Sequence, residues 1–327
     1  MPKKIVISEI GGPEVLEYVN YEVHSNLLPD NVRIKQLSIG VNYIDTYHRS
    51  GIYPLPSKLP TCPGLESAGE IISLGSNVKN FNIGDRVCYA SVPLGAYCDI
   101  RDFPASKTVK LPDEISTDTA ASIFLKGMTV EYLFERLYKL KKNEFFLFHA
   151  AAGGVGLIAS QWAKSIGSKM IGTVSTSEKA ELAKKNGCYY TINYKQENVF
   201  EKVKEITNGK LVSVVYDGVG KNTFNISLEC LSLRGLLVSF GQSSGMVPSV
   251  DLHKTFNPKS LYYTRPTLMH YNSTREELEL SSQKLFLKIK NNEIKANIHE
   301  IFKLQDASKA HSLIQSRNSS GSIILRP

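Results

Sequence analysis

Apolar positions fall into two regimes along the 327 residues. Up to about residue 125 they come in short runs at Ile5 to Ser8, Leu16 to Tyr21, Val32 to Ile39, Gly69 to Leu74, Arg86 to Ala90 and Gly95 to Ile100. The alternation in Val32-Arg-Ile-Lys-Gln-Leu has the period of a strand with one buried face, and breakers such as Gly11-Gly-Pro13 and Gly84-Asp85 separate the runs. That pattern predicts an antiparallel β domain. From about 126 to 264 strand-length runs at 144–149, 169–174, 189–193, 211–217 and 235–240 alternate with helical stretches, as a parallel sheet requires. The remaining 265–327 reads as a helix from Thr274 to Asn291, a strand near Ile298 to Lys303, a helix from Gln305 to Ser316 and a closing strand at Gly321 to Leu325. So short a tail cannot make a domain alone. It is expected to return to the first domain, with the parallel-sheet domain inserted between the two parts.

Within the second regime, Glu144-Phe-Phe-Leu-Phe-His-Ala-Ala-Ala-Gly-Gly-Val-Gly156 carries the most specific chemistry. A buried strand runs into Ala151, Gly153, Gly154 and Gly156, and a helix follows from Leu157 to Ile166. This is the strand–turn–helix setting of a dinucleotide fingerprint, with alanine in place of the first glycine. Small residues let main-chain amides approach a pyrophosphate, and the helix N-terminus offers its positive end to the anion. The end of the next strand selects the nucleotide. An NAD site carries an acid there for the ribose 2′-hydroxyl. Here Ser175-Thr176-Ser177-Glu178-Lys179 gives hydroxyls and a cation, which points to NADPH, with Glu178 the dissenting residue.

Composition narrows the class without changing it. Hydrophobic residues make up 42% and charged residues 21%, ordinary globular usage. No apolar run has membrane-spanning length, and Met1-Pro-Lys-Lys-Ile-Val-Ile reads as a strand rather than a signal peptide. Five scattered cysteines, Cys62, Cys88, Cys98, Cys188 and Cys230, suit reduced thiols in a cytoplasm. The formal charge of +8 is spread along the chain, so nucleic-acid binding is not expected as a main function; attraction of an anionic cofactor uses such a field.

Taken together, Gly64-Leu-Glu-Ser-Ala-Gly-Glu-Ile71, Gly84-Asp-Arg-Val87, the turn at Ala150 to Gly156 and Tyr216-Asp-Gly-Val-Gly220 resemble the medium-chain dehydrogenase/reductase superfamily. Asn42-Tyr-Ile-Asp-Thr-Tyr47, Arg49-Ser-Gly-Ile-Tyr-Pro54, Phe124-Leu-Lys-Gly-Met-Thr129 and Val238-Ser-Phe-Gly-Gln-Ser-Ser244 are similar to its zeta-crystallin-like quinone reductases. The resemblance implies an α/β chain: a Rossmann-type NADPH domain (126–264) inserted in a GroES-like antiparallel β domain (1–125 and 265–327). In the zinc alcohol dehydrogenases of the superfamily a cysteine stands where this chain has Asn42, and a His-Glu pair where it has Leu65-Glu66. No structural-zinc cysteine lobe exists either, so no metal is expected. The chemistry is then hydride delivery to an acceptor that is already electrophilic: a quinone, or alternatively an enone or alkenal. A third reading is an NADPH-binding protein with an RNA-binding role.

The resemblance also assigns residues. Gly153, Gly154 and Val155 would hold the pyrophosphate, Ser175, Thr176 and Lys179 the 2′-phosphate, with Tyr194 beside them. Phe240, Gly241 and Ser243 would line the nicotinamide side, and Arg317 would reach in from the C-terminal part. Asn42, Asp45, Tyr47, Thr129 and Tyr132 would border cofactor and substrate in a cleft between the domains. Asn42 and Tyr53 are the candidates to hydrogen-bond the quinone oxygen. Asp217 and His149 read as structural: a turn cap and a satisfied polar residue. A homodimer is expected, paired through the edge of the parallel sheet beyond strand 235–240 and Gly245 to Val250.

Overall fold

The computed structural model describes residues 1–327 and divides into two compact units, 1–128 with 272–327, and 129–271. The second break falls at 271/272 rather than at 264/265, because the short helix Leu268–Tyr271 still belongs to the second unit.

In the first unit the organising element is the eleven-residue strand Asn31–Val41. Val32, Ile34, Gln36 and Ser38 are buried while Lys35 and Leu37 face outward, the alternation anticipated for a half-buried strand. It pairs antiparallel with Glu66–Leu74 on one side, and on the other with Ile100–Pro104 and then Ser322–Arg326. The sheet continues through Arg86–Ala90 to Val109–Lys110 at one edge and Ile298–Lys303 at the other. The C-terminal strand thus closes the sheet begun by the N-terminal segment, and Lys3–Val6 pairs with Glu17–Asn20 in a separate ribbon. The strand expected at Gly95 to Ile100 lies five residues later. Segment 95–99 is held by isolated bonds instead, such as Tyr97 N to Pro63 O (3.1 Å), so its apolar side chains fill the core without forming a ladder.

The second unit is a six-stranded parallel sheet in the order Tyr190–Asn193, Lys169–Val174, Phe145–Phe148, Val212–Asp217, Leu231–Ser239, Tyr262–Thr264. Helices Gly154–Ile166, Ser177–Lys185, Val199–Ile206 and Phe224–Cys230 connect the strands. The sixth strand was not anticipated. Only three residues long, with Tyr262 63% and Tyr263 42% exposed, it carries no buried periodic pattern. It also corrects the expected sheet edge: Leu231–Ser239 is interior, and Gly245 to Val250 is irregular chain.

Candidate functional site

In the second unit the candidate residues gather where the parallel strands end. Phe145–Phe148 delivers His149 and then Ala150, whose φ of 59° turns the chain sharply. Gly153 caps helix Gly154–Ile166 without any side-chain partner, so the first-turn amides of Gly154 and Val155 face outward with the helix dipole behind them. A Cβ on Gly156 would stand 2.4 Å from Ala150 O and 2.6 Å from Ala151 O, so only glycine lets helix and turn close up. Alanine at 151 is tolerated because Gly172, on the neighbouring strand, leaves room: a Cβ there would meet that of Ala151 at 2.5 Å. Gly172 is a participant that the fingerprint does not contain.

The neighbouring strand, Lys169–Val174, is followed by Ser175 and Thr176. Thr176 caps the next helix, its hydroxyl accepting from Lys179 N (3.3 Å). Glu178 is exposed, and the Thr176 hydroxyl holds its carboxyl below the usual range, so the dissenting acid faces solvent. Tyr194 joins this group through its amide, which donates to Val174 O (3.1 Å). Burial lowers the Lys179 ammonium, and the charge of Lys195 lowers it further. Lys195 thus supplies a second cation that sequence reading missed, although it stands beside Tyr194.

Two strands away, the carboxylate of Asp217 accepts from Val219 N (2.8 Å), Gly220 N (3.0 Å), Thr223 Oγ1 (2.8 Å) and Ser227 Oγ (2.9 Å). It is the turn cap it was expected to be. His149 spans Thr173 Oγ1 and Ser227 Oγ, each at 3.0 Å, and burial lowers its pKa; it is a satisfied structural polar group. The turn fixed by Asp217 packs against Phe240 and Gly241: a Cβ on Gly241 would meet Gly218 O at 2.7 Å, and Ser243 N donates to Gly218 O (3.2 Å). Arg265, which the sequence did not single out, ties this segment by donating to Ser239 O (3.0 Å) and Gln242 Oε1 (2.9 Å). Thr129 is buried. Tyr132 opens a π-helical turn, Tyr132–Leu137, and its ring stacks on Tyr271 at 4.4 Å.

In the first unit, Asn42 precedes helix Tyr43–Arg49 and its main-chain N–H donates to Asp45 Oδ2 (2.9 Å). Its side-chain amide donates to Glu66 Oε2 (2.7 Å), and Leu125 N donates to Glu66 Oε1 (2.6 Å). Lys126 Nζ lies 3.6 Å from the same carboxylate, buried and without a hydrogen-bond acceptor. Burial raises the Glu66 pKa, against the pull of Lys126 and these donors. Tyr43, Tyr47 and Tyr53 form a ring cluster with centroid distances of 5.5 and 5.0 Å. Arg317, at the left-handed end of helix Ala307–Ser316, hydrogen-bonds to Tyr43.

Behind this helix runs a buried polar chain of which sequence reasoning singled out Asp45 alone. Tyr97 OH donates to Asp45 Oδ2 (3.0 Å) and lies 2.9 Å from His311 Nε2; His311 Nδ1 lies 3.0 Å from Arg49 Nη1. Arginine can only donate, so Nδ1 accepts, Nε2 carries the proton, and the bonds run Arg49 to His311 to Tyr97 to Asp45. Burial, with Arg49 adding to it, lowers His311 to about 3, and burial raises Asp45 to about 7. Asp45 Oδ1 remains without a partner.

Residues 28–133 match the alcohol dehydrogenase GroES-like domain family and 154–285 the zinc-binding dehydrogenase family. The chain is 49% identical to quinone oxidoreductase 1 of Escherichia coli, with all of both chains covered. A 2-haloacrylate reductase from a Burkholderia species is 42% identical, covering 98% of each. The crystal structure of Escherichia coli quinone oxidoreductase complexed with NADPH superposes with a TM-score of 0.96 at 48% identity, covering 99% of this chain and all of that one. Zinc, which the second family description implies, does not fit the residues here. Glu66 is engaged by two donors and faces a lysine, and no group of three or more His, Cys, Asp or Glu could hold a metal ion.

Proposed function

The chain belongs to the quinone oxidoreductases of the medium-chain dehydrogenase/reductase superfamily, and from that premise we propose how its residues carry out NADPH-dependent quinone reduction. One observation carries the assignment of residues. The βα turn at 150–156, the hydroxyl and lysine group at 175–179, Tyr194 and the segment 240–243 all follow the C-terminal ends of strands in one parallel sheet. Nucleotides bind along that edge in open α/β sheets.

Bound there, NADPH supplies a hydride. The amides after Gly153 hold the pyrophosphate, Gly154 and Val155 first among them. Ser175, Thr176, Lys179 and Tyr194 receive the 2′-phosphate, with Lys195 adding charge. Phe240, Gly241 and Ser243 border the nicotinamide, as do Asn42, Tyr47, Thr129, Tyr132 and Arg317; Asp45, wholly buried against Tyr97 and the Asn42 N–H, instead positions Asn42 from behind. Asn42 and Tyr53 orient the quinone oxygen. Asn42 suits this role because Glu66 fixes its amide. The quinone needs little further help: it accepts hydride as it stands, and the oxyanion so formed takes one proton from water. The protein contributes alignment.

Replacing Lys179 by alanine is expected to cut the preference for NADPH over NADH about ten- to a hundredfold, the worth of a charge-assisted phosphate contact. Steady-state KM values for the two cofactors measure it, and an unchanged ratio would refute the assignment. The likeness to a 2-haloacrylate reductase favours a second reading, reduction of an activated alkene on the same residues. Rates of NADPH consumption over a panel of quinones and enones separate the two.

Work as a homodimer in the cytoplasm completes the proposal. The exposed strand Tyr262–Thr264 leaves a sheet edge to be covered, and a closed two-fold contact is the commonest way to do so. Light scattering is expected to report twice the 36.3 kDa chain mass. A fully active monomer would overturn the dimer. No helix is long and apolar enough to cross a membrane.

A further inference from the structure

Away from the residues assigned above, two cysteines of the first unit lie side by side on neighbouring segments. Tyr97 N donates to Pro63 O and Ala96 N to Gly64 O, both at 3.1 Å. Alongside strand Lys3–Val6, Lys4 bridges to Cys98 and Ile7 to Thr61, so Cys98 and Cys62 follow one another, two positions apart, on the same face of that pairing. Cys62 Sγ donates to Tyr97 O (3.4 Å), the carbonyl adjoining Cys98, and each thiol bears on the other's ionisation. Two positions along a strand are about 6.6 Å, at the upper end of the Cα separation that a disulfide spans.

Cys98 Sγ donates to Gly95 O and Ile100 O, each at 3.2 Å, while its other neighbours favour the anion. Its Sγ accepts from Gln36 Nε2 (3.2 Å) in a buried site. The guanidinium of Arg101 lies near, anchored by donating to Leu94 O (2.9 Å), while its buried Nη1 has no hydrogen-bond partner. The neighbouring Cys62 thiol, Arg101, Tyr21 and Gln36 together hold the Cys98 thiol below its ordinary range. Cys62 is half-buried as a residue, whereas Cys88, Cys98, Cys188 and Cys230 are buried. A thiolate beside a second thiol is the arrangement of a sulfur pair open to oxidation.

We propose that Cys62 and Cys98 form a reversible disulfide, with a quinone as the oxidant. Both S–H bonds break and one S–S bond forms; the electron pair and two protons pass to the quinone, which leaves as the hydroquinone. No other reactant is needed. The pair itself stands on the geometry above, and only the identity of the oxidant rests on the quinone reading.

Duroquinone tests this, because its four methyl groups block addition of thiols to the ring. The full-length protein, incubated with duroquinone without NADPH, is expected to lose the mass of two hydrogen atoms. Its titratable thiols should fall from five to three per chain, and a proteolytic digest should contain one peptide pair joining Cys62 to Cys98. Dithiothreitol should restore all five. Cys62→Ser and Cys98→Ser should each start with four thiols and keep four, since each removes one of the five. Cys62→Ser should also retain NADPH–quinone turnover, so loss of turnover and loss of the disulfide are read separately. Diamide, a quinone-independent oxidant, is run in parallel. Five thiols remaining after both treatments, or a link joining other cysteines, would overturn the pair; closure by diamide alone would overturn the quinone as its oxidant.

Discussion

Lys126→Met is expected to lower the stability of the chain by about 3–5 kcal/mol, because it leaves the Glu66 carboxylate buried without its cation. Burial already holds the Glu66 pKa up in the folded state, and Lys126 is the leading influence pulling it back. Its removal drives that pKa higher. A carboxyl whose folded pKa is raised loses stability as pH rises through it, so the damage should grow from acid towards neutral pH. Lys126→Met combined with Glu66→Gln removes both charges and should recover most of the loss. Urea unfolding of the full chain measures all three proteins. A double variant no more stable than the sum of its single changes would show that the pair is not coupled as the 3.6 Å separation implies.

A second large effect concerns Asp45 and His311, the two ends of the Tyr97 relay. Asp45 stands at about 7 in the fold against 3.8 ordinarily, so it costs stability as pH rises through that interval. His311 stands at about 3 against 6.5, so its contribution is present above 6.5 and is lost as pH falls towards 3. The slopes oppose each other, and in the intact chain they largely cancel between pH 4 and 6.5. Asp45→Asn, which keeps an oxygen for Tyr97 and the Asn42 N–H, should expose the histidine slope. Its stability relative to the unsubstituted chain should improve by up to about 4 kcal/mol between pH 4 and 7, from three pKa units at about 1.4 kcal/mol each. Denaturation midpoints across that range test it. A constant offset between the two proteins would mean that Asp45 titrates alike folded and unfolded.

The contrast between these predictions and the cofactor residues marks what was legible in the chain. The fingerprint turn, the hydroxyl and lysine group and the cap at Asp217 lie within a few residues of a strand end, and local pattern places them. His149 could be read as structural because a polar residue closing a buried strand has to find partners in the turn. The Asp45 chain was not legible, because Tyr97 is 52 positions from Asp45, His311 is 214 beyond Tyr97, and only the returning C-terminal segment brings them together. Gly172 escaped notice for a related reason: a glycine inside a strand says nothing until the residue filling its space, Ala151, is known. The short strand Tyr262–Thr264 and the shift of the strand at Ile100–Pro104 show the limit of periodicity. Pairing chose those residues, not their own alternation.

The split of the first unit across both ends of the chain sets the order of events during synthesis. Segment 129–271 is continuous, and its sheet needs nothing from outside it, so it can acquire its native pairings while the polypeptide is still being made. The first 128 residues cannot. Strand Asn31–Val41 waits for Ser322–Arg326, and the ring nitrogens that Arg49 and Tyr97 bond are missing until His311 leaves the ribosome. A nascent chain halted before residue 311 would expose that unfinished surface to chaperones and proteases beside an already folded nucleotide domain.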